Sequence, residues 1–110
     1  MDDIDRAAIY RLHAGFCKNL ADANRLLIIN ELSGSELSVG DLAQRLGLSQ
    51  SNVSKHLALM RDYGLVLTRR EGSNIYYSLS DPRIFQAIKL LKEVQADQIE
   101  KQRALAQSSA

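Results

Sequence analysis

At 110 residues, 45% apolar and 25% charged, the chain is long enough for one domain with a modest core and too short for a large one. No apolar run reaches about 18 residues, which excludes a membrane-spanning helix, and a single cysteine, Cys17, excludes an internal disulfide. The net charge of +1 selects no partner, but residues 43–76 hold Arg45, Lys55, Arg61, Arg69 and Arg70 against Asp62 and Glu71, a local +3, while the rest of the chain carries −2. A basic patch on a near-neutral chain suits nucleic acid. The first residues are acidic where a secretory leader is basic, so with its one cysteine the chain is expected in the cytoplasm.

Residues 3–20 set Ile4, Ala7, Ala8, Leu12, Phe16 and Leu20 at helical spacing. Asp2, Asp3 and Asp5 stand at the positive end of that helix's dipole. Asp22 reads as the N-cap of a second helix. Its apolar residues Leu26, Leu27, Ile28, Ile29 and Leu32 surround it, which predicts a central position, and Ser33-Gly34-Ser35 ends it. Ser38 and Asp41 fit a capping box for a short third helix, residues 39–46, that stops at Gly47. Ser49 caps a fourth helix that runs to about Tyr63. Val53, Leu57 and Met60 share one face of it, with Leu59 beside them, and Gln50, Ser51, Ser54, Lys55 and Arg61 share the other. Gly64 fits the position just past a helix where left-handed backbone is common.

The period then drops from helical to two. Residues 65–68 read as a strand, 69–74 as a hairpin tip hinged on Gly72, and 75–79 as the return strand. Asp81 and Pro82 open a last helix of about 25 residues. Ile84, Ile88, Leu91, Val94, Ile99 and Leu105 form its stripe, and the tail, 107–110, reads as frayed. The predicted fold is mostly α with a β-hairpin, in the order α-α-α-α-β-β-α. It is a winged helix-turn-helix filling one domain, 1–110, with the helix-turn-helix over 39–63 and the wing over 65–79.

That architecture carries a functional reading. An α-helix fits the major groove of DNA and reaches base edges with its N-terminal residues. The fourth helix opens on Ser49, Gln50, Ser51, Asn52, Ser54, Lys55 and His56, short polar groups and a cation; Gln44 on the third helix joins them as a candidate contact. Ser49 can cap the helix and leave N–H groups for a phosphate. Asn52 is open between bracing the turn and touching DNA, and His56 between a phosphate contact and a plain surface position. The wing supplies Arg69, Arg70, Gly72, Ser73 and Asn74 for phosphates or the minor groove, with Arg45 and Arg61 as further phosphate candidates. Tyr76 and Tyr77 alternate across the sheet, so one belongs to the core; Tyr76 is the candidate for the DNA side. No catalytic set, phosphate loop, CxxC or HExxH pattern occurs, so neither an enzyme nor a cofactor is expected. The alternative is a winged-helix module that binds protein.

The segments Leu20-Ala21-Asp22-Ala23-Asn24-Arg25-Leu26, Glu36-Leu37-Ser38-Val39-Gly40-Asp41-Leu42-Ala43 and Leu48-Ser49-Gln50-Ser51-Asn52-Val53-Ser54-Lys55-His56-Leu57 resemble the ArsR/SmtB family of winged-helix repressors. So do Leu65-Val66, Arg69-Arg70-Glu71-Gly72 and Ile75-Tyr76-Tyr77, in that order and spacing. The resemblance implies a homodimer through the first and last helices, about 3–20 and 82–106. It also implies an imperfect inverted-repeat operator and repression relieved by an inducer. The last helix supports the dimer independently, because about 35 Å of apolar helix is more than one small domain can cover.

The chain departs from the family's sensing sites. Where arsenic and cadmium sensors carry cysteines it has Ser38 and Gly40, and a hydroxyl and a hydrogen cannot replace thiolates for a soft metal. The zinc-sensor positions on the last helix match Asp81, Arg83, Val94 and Asp97, without an imidazole. The two-cysteine thiol sensors place one cysteine where this chain has Asn30 and another on the last helix, which has none. No metal site is therefore expected. There remain Cys17 and, four residues earlier on the same helical face, His13. Read structurally, Cys17 is a small buried apolar group and His13 a surface group. Read functionally, two such pairs across a dimer form a thiol- or metal-responsive site.

Overall fold

The structure, a computed structural model, describes residues 3–108, with side chains from residue 5 onward. Its elements are α1 (Asp3–Leu20), α2 (Ala23–Glu31), β1 (Leu37–Ser38), α3 (Val39–Leu46), α4 (Gln50–Asp62), β2 (Val66–Glu71), β3 (Asn74–Leu79) and α5 (Arg83–Ser108). Asp2 and the side chains of Asp3 and Ile4, expected at the start of α1, lie outside the described residues. Gln107 and Ser108, expected to fray, are instead the last residues of α5, and the Ser108 hydroxyl donates to the Leu105 carbonyl over 3.0 Å. Among the described residues no helix is long and apolar enough to cross a membrane.

The helices α2, α3 and α4 start and stop for local reasons. Asp22 caps α2, its carboxylate accepting from the Asn24 and Arg25 amides at 2.9 and 3.2 Å. Ser38 and Asp41 form the reciprocal capping box of α3. Gly47 ends α3 at φ +67°, a left-handed conformation that costs glycine nothing, and so allows a turn of only residues 47–49 before α4. Ser49 then accepts from the Asn52 amide at 3.1 Å.

The sheet is antiparallel in the order β1-β3-β2. β1 was not expected, since two residues have no period to detect; Leu37 pairs with Tyr77 and Ser38 with Tyr76. The wing strands also run further than expected. Arg69, Arg70 and Glu71 belong to β2 and Asn74 to β3, which leaves a loop of Gly72 and Ser73 with Gly72 at φ +63°. Polar side chains at the end of an exposed hairpin mask the alternation that would have shown this.

The core forms around α2 and its C-cap: Ile28, Ile29 and the capping Leu32 are buried with Leu42 and Ala43 of α3, Val53, Leu57 and Met60 of α4, Leu65 and Val66, and Ile88 of α5. α2 is less enclosed than its composition suggests, because Leu27 is 46% exposed. The stripe of α5 divides. Ile84, Phe85 and Ile88 pack on the core, whereas Leu90, Leu91, Val94, Ile99 and Leu105 stand in solvent, as do Ile9, Tyr10 and Leu12 of α1. The radius of gyration is 17.6 Å, against about 13 Å for a compact chain of this length.

The Asp22 carboxyl lies below the usual carboxylate range, chiefly because the Arg25 amide donates to it. Its stabilising effect is therefore present above that range and is lost as pH falls through the depressed value. Asp22→Ala is expected to lower stability by about 1 kcal/mol at neutral pH, and the gap to the parent protein is expected to narrow on acidification. Denaturant titrations at several pH values measure both, and an unchanged midpoint at neutral pH would refute the cap.

Candidate nucleic-acid interface

α4 is fastened by one face only. Val53, Leu57 and Met60 are each fully buried, and this i, i+4, i+7 set turns the rest of the helix outward. Ser51, Asn52, Ser54 and Lys55 are exposed together on its N-terminal turns, and Gln44 of α3 is exposed as well. Leu59, expected beside the buried face, is 38% exposed. Lys55 has no ion-pair partner among the described residues.

Within this face the roles differ. Ser49 is engaged as a cap, and its hydroxyl also stands 3.3 Å from that of Ser51. The Gln50 amide covers the start of α3, its Nε2 lying 3.7 Å from where Gly40 would carry a Cβ. Asn52 uses its backbone amide to meet the cap and leaves its side chain exposed. Arg61 is exposed but eleven residues beyond Gln50, about 16 Å along the helix, and so stands apart from the N-terminal cluster. Arg45 points to Glu31, 3.6 Å away.

His56 is not a surface group. Its side chain is 14% exposed, its Nδ1 accepts from Arg25 Nε at 3.2 Å, and its Nε2 lies 4.0 Å from the Asp22 carboxylate. The ring stands behind the exposed face, held by a residue 31 positions away. Spacing along α4 could not reveal that partner.

The wing is also rearranged relative to expectation. Arg69 donates through Nε to Glu36 at 3.0 and 3.1 Å and through a terminal nitrogen to Glu71 at 2.9 Å, and its guanidinium lies 4.9 Å over the Tyr76 ring. The two carboxylates, Glu36 first, hold this guanidinium more firmly protonated than usual. The cluster therefore carries net −1, because β1 brings in a Glu36 that no local count of wing charge includes. Tyr76 forms the base under Arg69, and Tyr77, on the opposite face, packs on the core. Arg70 pairs across the hairpin with Ile75 and has no carboxylate partner among the described residues. Gly72, Ser73 and Asn74 are exposed at the tip.

The candidate sensing positions are far plainer. Asp81 is tied to Arg83 by bonds of 2.7–3.2 Å, and its carboxyl is lowered to about 2, mainly by that guanidinium. Cys17 is exposed in the single chain, not buried as its type suggested, and its sulfur stands 3.5 Å from His13 Nε2. Among the described residues no group of three or more His, Cys, Asp or Glu side chains is placed to hold a metal ion.

The fold has known counterparts. Residues 22–68 match the family described as bacterial regulatory protein, arsR family. The nodulation protein NolR of Rhizobium meliloti is 42% identical over 84 residues, spanning 76% of this chain and 69% of that protein. The transcriptional activator HlyU of Vibrio cholerae is 47% identical over 74 residues, spanning 67% of this chain and 68% of its own. In structure, the homodimeric winged helix-turn-helix DNA-binding domain of Mb0332 from Mycobacterium bovis superposes with a TM-score of 0.81 at 29% identity, over 92% of this chain and 93% of that one. This chain belongs to the ArsR family of bacterial regulatory proteins: it is a winged helix-turn-helix, DNA-binding transcriptional regulator and not an enzyme.

Proposed function

We propose that the protein is one winged-helix domain that acts in the cytoplasm as a homodimer on an imperfect inverted repeat, repressing transcription until an inducer releases it. The observation that carries this reading is the N-terminal half of α4. Ser51, Asn52, Ser54 and Lys55 project from a helix anchored by three fully buried residues, beside a hairpin that presents Arg70. Base and phosphate contacts come from these residues, with Gln44, Ser49 and Gln50 at the turn and Gly72, Ser73 and Asn74 at the tip. His56 and Arg69, bonded within the protein, serve the interface indirectly.

Surface area supports the dimer. The chain exposes 8021 Å², whereas a compact monomer of its mass exposes about 6,100 Å². The excess is larger than the roughly 800 Å² per partner that a standard interface needs. The exposed apolar residues of α1 and α5 offer the surface for such an interface. Pairing through these helices is expected to set two α4 helices about 34–36 Å apart, one turn of DNA.

Selection of bound sequences from random duplexes tests the whole reading. It is expected to recover a symmetric site, and failure to bind any duplex at low salt would instead favour a protein-binding module. On the selected site, Lys55→Ala and Arg70→Ala are each expected to weaken binding, with the slope of log affinity against log salt falling by about one. Unchanged affinity and slope in both variants would remove α4 and the wing from the interface. For the dimer, Leu91→Glu with Val94→Glu is expected to give monomers in sedimentation and to lose tight operator binding. A parent protein that sediments as a monomer at micromolar concentration would overturn this part.

A second reading, control through Cys17 and His13, has one observation behind it, the 3.5 Å approach of the thiol to the imidazole. On the first reading, calorimetry with zinc is expected to detect no tight binding. Stoichiometric binding that disappears in Cys17→Ala would select the second.

A further inference from the structure

Arg25 occupies an unusual junction. Its terminal nitrogen donates to the backbone carbonyl of Asn19 at 3.1 Å and to the Asn19 side-chain oxygen at 3.0 Å. Asn19 is itself only 6% exposed, and its amide donates back to the Gly15 carbonyl at 3.1 Å. The Asn19 carbonyl is one of those at the end of α1 that no helical N–H can reach. The other arm of the same guanidinium, Nε, donates to His56 Nδ1 at 3.2 Å, near the middle of α4. The backbone of Arg25 is meanwhile fixed by the Asp22 cap. One planar, permanently charged group thus joins the end of α1, the start of α2 and α4.

We propose that Arg25 and His56 are positioning residues for DNA recognition: their hydrogen bond sets where α4 stands relative to the α1–α2 corner. Val53, Leu57 and Met60 give α4 a greasy seat, and apolar contact is non-directional, so it resists lifting more than sliding or rolling. A hydrogen bond from a fixed guanidinium fork to a ring nitrogen is directional and pins the helix against both. The imidazole is suited to this because its ring is rigid and partly enclosed. Acceptance at Nδ1 also dictates the tautomer. The neutral ring carries its proton on Nε2, the atom that faces the Asp22 carboxylate 4.0 Å away. Base contacts require α4 to be placed to a fraction of an ångström, whereas phosphate contacts tolerate looser placement. Loss of the joint therefore falls on sequence discrimination first.

The proposal rests on the reading of α4 as the groove helix, and the experiment separates the two. Affinities for the selected duplex and for a random duplex are measured for the parent, His56→Leu, Arg25→Met, the double variant and His56→Asn. The first two variants are expected to lose about tenfold on the selected site, within the range for coupled neighbours, and much less on random duplex. The double variant is expected to lose no more than either single one. His56→Asn, whose side-chain oxygen replaces Nδ1 as acceptor, is expected to recover most of the loss. Additive losses, or equal losses on both duplexes, would overturn the proposal. If Lys55→Ala weakens binding and His56→Leu does not, the joint alone is refuted; if neither does, the reading of α4 falls and the joint with it. Nitrogen chemical shifts of the His56 ring in the unaltered protein give an independent check that needs no variant to fold. An unprotonated, hydrogen-bonded Nδ1 is expected, and a proton on Nδ1 of the neutral ring would refute the bond.

Discussion

The burial of Val53, Leu57 and Met60 is the constraint on which the rest of the molecule depends. Removing each such side chain from water is worth about 1.5–3 kcal/mol, and the three lie along a single face of α4. That seat orients every other residue of the helix. Ser51, Ser54 and Lys55 are exposed because the positions between them and the core are apolar. The surroundings serve the same seat: α2 fills the space beneath it with Ile28 and Ile29, and Leu42 of α3 closes one side. The glycine at 47 allows α3 and α4 to meet with a turn short enough to share this core. A polar recognition surface is thus a consequence of apolar packing on the reverse of the same helix.

Charge contributes less to the surface than its local count implies. Arg69 is balanced by Glu36 and Glu71 and laid over Tyr76, so it stiffens the hairpin and offers little field to an approaching phosphate. Lys55 and Arg70 are left as cations near the proposed DNA face. With so few, phosphate attraction positions the protein and cannot by itself distinguish sites. On the proposed reading, discrimination then belongs to short side chains on α4, which reach bases only if the helix is held in register.

Much of this was legible in the sequence because it is local. Asp22, Ser38 and Ser49 announce helix starts through a bond to an amide two or three residues on, and Gly47 and Gly64 announce ends through a backbone that other residues avoid. The starts of α2, α3 and α4 and the short turn between α3 and α4 follow from such signals. What was not legible is non-local. β1 is a strand only because Tyr76 and Tyr77 lie beside it. His56 looks like a surface residue until Arg25 arrives from 31 positions away, and Arg69 looks like a phosphate ligand until Glu36 arrives from 33. In each case a charged or polar side chain was assigned to solvent or DNA while the fold supplied an internal partner. The apolar stripe of α5 is visible in the sequence, but only the structure shows that the core covers its first turns and leaves the remainder open.

These non-local bonds give the molecule a simple mechanical layout. In the proposed reading the apolar surfaces for pairing lie on α1 and α5, and the polar surface for DNA lies on α4 and the wing. Two sets of hydrogen bonds hold α4 and the segment that follows it to distant parts of the chain. Near the middle of α4, His56 meets Arg25, which grips the last turn of α1. Just past its end, the Ser80 hydroxyl donates to the Gly64 carbonyl at 2.6 Å and the Ser80 amide to the Leu65 carbonyl at 3.0 Å, a short step before α5 begins.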